Sequence, residues 1–374
     1  MAGTLTVDTI QSDSSYASRI NVTSNVAFTA PVNFTGGMQI GGQDTTFGGM
    51  RNKIINGSMQ VAQRNTSAAG VVATGYYACD RMQYYRSGNA LTVTISQAAD
   101  GPAGFSSCHK VQTTTANTSV GTGDLVSNTY YTVENEDMQD LAWGTASAKP
   151  MTLSFWVKSN KIGTYSVSSY LNFSSSFYVF ANTYSINTAD TWEYKTIVIP
   201  GFTTTTIPND NAGAFSIYWN TRCGTSLTSG TATTTWSTYT NTNWAVGHTA
   251  QWGTSTSDYI SMTGIQLEKG SAATAFENRY YGQELALCQR YYQTYPGIGQ
   301  GNKALWSSYG ATYNYVIWSF KTTMRTSPTI AGATMGSVET PSPDAVTAYA
   351  AGSNYAAYGY NGSAYGQATA TAEL

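Results

Sequence analysis

Apolar and polar residues alternate along much of the chain, which is the pattern of β-strands that bury one face. The alternation lasts longest in residues 20–40, where apolar side chains occupy the even positions. It predicts further strands at residues 91–95, 151–158, 165–173, 192–199, 215–219 and 260–267. Their number and the turn-rich spacers between them predict two antiparallel sheets packed face to face.

Three local signals refine this pattern. In the last of these strands the apolar parity shifts by one residue at Gly264, which predicts a β-bulge. The Asn56-Gly57 dipeptide lies between two short apolar runs and predicts a two-residue hairpin. Leu285, Cys288 and Tyr292 recur at helical spacing, so we expect one short helix with these side chains on its buried face.

The patterns divide the chain into four parts: an extended N-terminal β stem (residues 1–50), a β-sandwich (51–281), a junction helix (282–295) and a small C-terminal β module (296–374). A segment as short as the stem buries too little surface to fold alone. We therefore expect its apolar stripe to pack on the same segment of other copies. Packing on the sandwich of its own chain is the alternative.

Charged residues make up only 10% of the chain, against about 25% in an average soluble domain. Thr, Ser, Asn and Gly replace them, and this composition favours strands and turns over helices. The formal net charge of −2 without a basic run argues against nucleic acid and anionic membranes as partners. No apolar run reaches the roughly 18 residues of a membrane span, and no export signal is recognisable, so we expect a soluble protein.

The four cysteines lie too far apart in sequence for a zinc knuckle. Free, buried thiols of a protein made in a reducing cytoplasm are the first interpretation. A bridge between Cys79 and Cys108 is the alternative.

Six sequence blocks, taken in order, resemble tail fibre or receptor-binding proteins of tailed bacteriophages, notably marine or cyanobacterial ones. The blocks are NKIINGSMQVAQRNTS with CDRM, TLSFWVKSNKIGTY, TWEYKTIVIPG, GIQLEKGSAATAFENRYYGQELALCQRYYQ, MRTSPTI and the terminal AEL. Together they run from about Asn52 to Leu374. The chain departs from the family at Ala62 and Met82, where tryptophan is common, and at Asn65, where glycine is common.

The resemblance implies a virion fibre, an intertwined homotrimer with a jelly-roll-like sandwich that binds a host cell-surface glycan during phage adsorption, without catalysis. It implies attachment to another tail or head protein of the virion through residues 1–50. A structural virion component, such as a head fibre, head decoration or tail connector, is the first alternative. A glycan-degrading tailspike is the second.

Candidates for catalysis are few. His109 and His248 lie in Thr-rich sequence with no motif around them, so we interpret each as a surface or hydrogen-bonded histidine. The chain has one acidic cluster, formed by Glu134, Glu136, Asp137 and Asp140. A solvated acidic turn is the favoured interpretation of this cluster, a structural calcium site comes second, and a glycosidase pair comes third. No other cofactor is expected.

Candidates for glycan binding are aromatic residues within Asn-, Ser- and Thr-rich sequence, because aromatic faces stack on sugar rings while amides and hydroxyls bind sugar hydroxyls. Packing between subunits is the alternative, since interfaces are also enriched in aromatic residues. One cluster lies in the long stretch before residue 259 and the other near the C-terminus. They comprise Trp236, Tyr239, Trp244 and Trp252, and Tyr349, Tyr355, Tyr358, Tyr360 and Tyr365.

Overall fold

A computed structural model describes residues 50–88, 91–173, 175–295, 320–332 and 368–374, and the backbone of five further strand segments (39–40, 43–44, 306–309, 313–319 and 355–360). Contacts divide the chain into two units. The smaller unit, Met1–Ile40 with Asp44–Phe47, holds most of the predicted stem, which lies outside the described residues. The larger unit holds the sandwich and is mainly antiparallel β-structure, as the sequence predicts.

The described elements, in chain order, are 21 strands, two α-helices and two 3-10 helices. The strands are β1 (Gln39–Ile40), β2 (Gln43–Asp44), β3 (Ser67–Val71), β4 (Gly75–Tyr76), β5 (Gln83–Ser87), β6 (Thr92–Ala98), β7 (Cys108–Thr115), β8 (Leu125–Val133), β9 (Met151–Ser159), β10 (Gly163–Asn172), β11 (Phe177–Ile186), β12 (Glu193–Ile199), β13 (Phe215–Cys223), β14 (Ser237–Thr238), β15 (Tyr259–Lys269), β16 (Tyr292–Tyr295), β17 (Trp306–Tyr309), β18 (Tyr313–Ser319), β19 (Thr329–Gly332), β20 (Tyr355–Tyr360) and β21 (Ala368–Thr371). The helices are α1 (Thr225–Thr228), α2 (Tyr281–Gln289) and the 3-10 helices Asn135–Leu141 and Asn241–Asn243.

Two sheets form the sandwich. The seven-stranded sheet has the order β14-β11-β10-β13-β8-β5-β4, and the six-stranded sheet has the order β12-β9-β15-β7-β6-β3. Their facing residues alternate along each strand and meet in one core, in which Phe155 of the second sheet lies edge-on to Trp219 of the first. Among the described residues no helix is long and apolar enough to cross a membrane.

The six strands predicted within the sandwich are present, in whole or in most part, as β6, β9, β10, β12, β13 and β15, while the strand predicted at residues 20–40 lies outside the described residues except for β1. The bulge is also confirmed: the register of β15 against β9 shifts between Thr263 and Gln266, and Gly264 has φ +60°. A side chain at Gly264 would meet the rings of Phe105 and Trp156, which cover this point of the sheet. All four cysteines are free and buried.

The hairpin predicted at Asn56-Gly57 is wrong, because residues 51–63 form no strand. Asn56 does adopt a left-handed conformation, with φ +62°. The turn bonds to the bulged strand instead: the Gly57 carbonyl accepts from Ile265 N at 2.9 Å, and Lys53 N donates to the Leu267 carbonyl at 2.9 Å. The segment thus continues the hydrogen bonding of β15, where the bulge leaves backbone groups free.

We expect Gly57→Ala to lower the free energy of unfolding by about 1–3 kcal/mol, because its methyl group overpacks a closed contact. A Cβ atom at this position would lie 2.1 Å from the Ile265 carbonyl oxygen. Urea denaturation measures the change. Gly123→Ala is the control, since a Cβ atom there meets nothing within 4 Å. Equal stability of the two variants would contradict the close approach.

The helix α2 ends at Gln289, earlier than the predicted 282–295, and the chain enters β16 at Tyr292. Tyr292 pairs with Thr371 of β21, so strand pairing replaces the last helical turn. Cys288 is fully buried and Tyr292 is nearly so, while Leu285 packs partly buried against the same small cluster as Cys288.

Beyond α2 the chain forms two three-stranded sheets, β16-β21-β19 and β17-β18-β20. The final residues return to the sandwich. Ala372 N donates to the Tyr291 carbonyl at 2.7 Å, and Glu373 pairs with Arg64 at 2.8 Å and with Arg81. We call Arg64, Arg81 and Glu373 the C-terminal clasp.

Candidate functional site

The outer face of the seven-stranded sheet, which points away from the core, carries aromatic side chains. Alternation explains their position. In β13, Ile217 and Trp219 are buried in the core, so Tyr218 between them points to the other face. In β10, Leu171 is in the core and Tyr170 points outward in the same way. These aromatic residues therefore occupy positions where a sandwich normally places polar ones.

The aromatic residues of this face touch one another from strand to strand. Phe177 stacks on Tyr170 with centroids 6.2 Å apart, and Tyr130 stacks on Tyr218 at 4.2 Å. Tyr85 lies edge-on to Tyr218 at 5.5 Å. We call the following set the aromatic row: Phe177 (β11), Tyr170 (β10), Tyr218 (β13), Tyr130 (β8) and Tyr85 (β5), with Tyr239 and Trp244 from the loop between β13 and β15.

The loop between β13 and β15 lies against one end of this face. Trp244 contacts Tyr218 at 4.8 Å and Tyr170 at 5.5 Å, and so joins the two halves of the row. Tyr239 contacts Tyr170 at 5.7 Å, and its backbone N donates to the Phe177 carbonyl at 2.8 Å. Residues 223–257 contain no Asp, Glu, Lys or Arg. The loop therefore adds aromatic surface and no formal charge.

A buried polar network fixes this loop to the sheet. Asn220 is fully buried and donates to Ser168 at 2.6 Å and to Ser166 at 3.1 Å, while it accepts from Ser127 at 2.9 Å. The Ser168 hydroxyl in turn donates to the Trp244 carbonyl at 2.6 Å. Because every member has a partner, the network orders the loop and holds Trp244 in the row.

The exposed members of the row are uncharged hydrogen-bonding groups. Burial raises the pKa of the Tyr218, Tyr170 and Tyr239 phenols, with neighbouring phenols as a further cause, so all three are protonated at neutral pH. The Tyr130 hydroxyl accepts from Thr132 Oγ1 at 2.9 Å. Phe177 remains 38% exposed and the phenols are partly exposed, so the face can receive a ligand.

The structure separates the four aromatic residues predicted in this loop. Tyr239 and Trp244 lie together in the row, with centroids 5.8 Å apart. Trp236 packs against the core beside Trp143, and its Nε1 donates to the Pro200 carbonyl at 2.8 Å. Trp252 belongs to the core and is fully buried, so it has no surface for a ligand.

The side chains of the C-terminal candidates lie outside what the structure describes. Tyr349 and Tyr365 are outside the described residues, and for Tyr355, Tyr358 and Tyr360 only the backbone of β20 is described. Their assignment stays a prediction.

The acidic cluster lies at the 3-10 helix Asn135–Leu141, and three of its four carboxylates form ion pairs with basic side chains. Glu134 forms two hydrogen bonds with Arg290, at 2.8 and 2.7 Å, and accepts from the Tyr291 hydroxyl. Burial alone would raise the pKa of Glu134, but these bonds outweigh it and lower the pKa. Asp140 pairs with Lys53 at 2.7 Å. Glu136 also bonds to Arg290, at 2.9 Å, while burial raises the pKa of Asp137.

No group of three or more His, Cys, Asp or Glu side chains that could hold a metal ion occurs within the described part of the chain. Both histidines are buried. His109 Nε2 lies 3.1 Å from the Asn128 carbonyl, and His248 Nδ1 accepts from Ser166 N at 3.1 Å. Burial lowers the pKa of each to about 4.

Sequence reasoning missed five members of the row: Phe177, Tyr170, Tyr218, Tyr130 and Tyr85. A usable signal existed for two of them, because Tyr170 and Tyr218 stand on the non-core parity of strands that the pattern predicts. No such signal existed for the others, since β5, β8 and β11 were not predicted.

No family model matches the chain, and no curated protein matches its sequence. Among solved structures, the chain is similar to the enzymatically active domain of tailspike protein 4 of bacteriophage CBA120, with 13% identity and a TM-score of 0.30. The similarity covers 58% of this chain and 21% of the tailspike chain.

Two further similarities are to proteins of Clostridium thermocellum. One is the family 11 carbohydrate-binding module of the cellulase Lic26A-Cel5E, with 14% identity and a TM-score of 0.26, over 55% of this chain and 93% of that one. The other is a xylanase 10B structure with xylohexaose, with 11% identity and a TM-score of 0.27, over 56% and 30% of the two chains. Scores this low carry no conclusion about function.

Proposed function

We propose that the chain binds a glycan on the aromatic row, as a non-enzymatic fibre protein of a tailed phage. The observation that carries the proposal is the row itself: five aromatic side chains on five neighbouring strands, joined by two from the loop, of which all but the buried Trp244 are at least partly exposed. Aromatic rings match the apolar faces of sugars, and phenols with nearby hydroxyls and amides bind sugar hydroxyls.

The surroundings of the ionisable groups support binding without catalysis. A general base needs access to the proton that it removes and a pKa near the working pH. His109 and His248 are at most 5% exposed, and burial holds their pKa values at about 4. Glu134 is 1% exposed and engaged by Arg290 and Tyr291. These groups stabilise the fold and offer no free acid and base to a sugar.

We further propose that the protein is a homotrimer, held in the virion through residues 1–50, and that it contacts the host surface during adsorption. Three exposed apolar side chains support contact between copies or with another virion protein. Tyr280 and Tyr281, at the start of α2, are 90% and 56% exposed, and Met50, the last residue of the predicted stem, is 55% exposed. These residues also favour the second candidate function, a purely structural virion component.

We expect Tyr218→Ala to reduce glycan affinity by about 5- to 150-fold, because loss of one aromatic stacking side chain costs about 1–3 kcal/mol. Binding on a glycan array, followed by calorimetry with the best ligand, measures the effect. Tyr194→Ala is the matched control: Tyr194 is 44% exposed on the six-stranded sheet, away from the row.

The two functions predict different results at the host cell. A glycan-binding fibre should block phage adsorption when added in excess, and the Tyr218→Ala protein should not. A structural component should leave adsorption unchanged. Equal glycan affinity of the Tyr218→Ala and Tyr194→Ala proteins would overturn the assignment of the site, and release of reducing ends from a bound polysaccharide would overturn the non-enzymatic proposal.

A further inference from the structure

Resting on the proposed function, we propose that the ligand is an uncharged linear oligosaccharide of several consecutive sugar units, which lies across the strands from Phe177 to Tyr85. The proposal follows from the direction of the row, from its length and from the absence of charge on the face that surrounds it.

The row runs across the sheet and not along a strand. Tyr130 pairs directly with Tyr218 in the register of β8 and β13. In β10, the partner strand of β13, the ring nearest to that pair is Tyr170, and in β11 it is Phe177. Neighbouring strands lie about 4.8 Å apart, so five strands span roughly 19 Å. One aromatic ring is about as wide as one sugar ring. The row is therefore several times as long as a monosaccharide.

The strand residues on this face are uncharged. Between the aromatic positions the face carries Gln83, Thr132, Ser216, Ser168 and Asn172. The loop beside it, residues 223–257, has no Asp, Glu, Lys or Arg. A carboxylate of an acidic sugar would lose water here without gaining a cation, which is unfavourable.

Two buried cations near this sheet are already paired. Arg81, which donates to the Thr132 carbonyl at 2.8 Å, pairs with Glu373. Arg222 in β13 is fully buried, bonds to Asp124 at 3.2 Å and donates to the carbonyls of Asn117 and Ser119 at 2.9 and 2.7 Å. Its guanidinium is therefore not available to an acidic sugar. The Thr132 and Ser216 hydroxyls lie 2.9 Å apart and are buried, so the uncharged polar groups that the face offers are the phenols, Gln83 and the exposed Asn172.

Calorimetry with two classes of probes tests the proposal. The uncharged class consists of three series, cello-, manno- and malto-oligosaccharides of one to six units, and the acidic class consists of oligogalacturonates of the same lengths. At least one uncharged series should gain about tenfold or more in affinity between the disaccharide and the pentasaccharide. The oligogalacturonates should bind at least tenfold more weakly than that series. A monosaccharide that binds as tightly as its hexasaccharide, or an acidic series that binds more tightly, would overturn the proposal.

Variants at Phe177 and Tyr218 distinguish the effect of ligand length on affinity from the effect on binding of any ligand. Phe177 lies at one end and is 38% exposed, so Phe177→Ala should fold and should remove the affinity gained from the last units while leaving short oligosaccharides unaffected. Tyr218→Ala should weaken every length, and Tyr194→Ala none.

The outcomes distinguish this inference from the proposed function. If no oligosaccharide or polysaccharide binds, or if binding is unchanged in Tyr218→Ala, the proposed function fails. If binding depends on Tyr218 but shows no dependence on length, or if Phe177→Ala weakens all lengths equally, only the inference about the extended ligand fails.

Discussion

Replacing Arg81 by methionine should lower the free energy of unfolding by about 3–5 kcal/mol, the largest effect that we expect from a single substitution. Arg81 is 1% exposed, pairs with Glu373 and donates to the Thr132 carbonyl at 2.8 Å. Its guanidinium also lies 3.6 Å from the centre of the Tyr291 ring. Methionine fills similar volume but leaves the Glu373 carboxylate without Arg81 in a site where that carboxylate is only 7% exposed.

Chemical denaturation of the full chain measures this loss. Lys269→Met is the control, because Lys269 and Asp140 are 3.8 Å apart with side chains 40% and 49% exposed, and pairs of that kind contribute between 0 and about 1 kcal/mol. The double variant Arg81→Met with Glu373→Gln should recover part of the stability, since it removes a buried carboxylate that has lost Arg81 and keeps only Arg64 as a charged partner. A loss no larger than that of the control, or a double variant less stable than Arg81→Met, would contradict the clasp.

The clasp also explains the course of the C-terminal part of the chain. β21 lies between β16 and β19, and the residues after it bind at the sandwich. Arg325 also holds the C-terminal residues in place, because its side chain donates to the Ala372 and Glu373 carbonyls at 2.8 and 3.0 Å. The segments around Tyr291, Arg325 and Ala372 are therefore held together beside the sandwich. The terminal AEL sequence alone does not predict this placement of the C-terminal residues.

The sequence predicts strands well where only one face of a strand is apolar. β9 and β15 alternate clearly because their inner residues meet the core. β8 was missed because Ser127, Asn128 and Thr129 follow one another and interrupt its apolar alternation, although all three are fully buried. Their partners are distant in sequence: Ser127 donates to Asn220 and Asn128 donates to Met262. Local periodicity does not indicate such partners.

The binding site was predictable only in part, for a related reason. Aromatic density marks the loop as ordered, and two of its four predicted residues, Tyr239 and Trp244, lie in the row. Whether a given tryptophan faces the ligand or the core depends on partners far away in sequence. Trp236 packs against Phe202 and Trp143 from other segments, and nothing beside Trp236 in the sequence identifies them.

Acid should destabilise the protein between pH 6.5 and 4, before most surface carboxylates are protonated. His109 and His248 have folded-state pKa values of about 4, against 6.5 when unfolded, because burial disfavours the charged ring. The unfolded chain therefore binds more protons in this window, and stability that is present above pH 6.5 is lost as the pH falls toward 4. Each histidine contributes a slope of at most about 1.4 kcal/mol per pH unit, the value for the uptake of one proton.

Denaturation curves at several pH values measure the change in the free energy of unfolding per pH unit. This slope can be compared between variants even when their overall stabilities differ. His109→Gln should reduce the slope by about half, and the double replacement with His248→Gln should leave only the part due to carboxylates such as Glu134, below about pH 4.5. His248 accepts from Ser166, which also bonds to Asn220 of the network beneath the loop. Glycan affinity of the wild-type protein should therefore fall together with its stability between pH 6.5 and 4. An unchanged pH slope in the double variant would refute the assignment of the slope to the histidines.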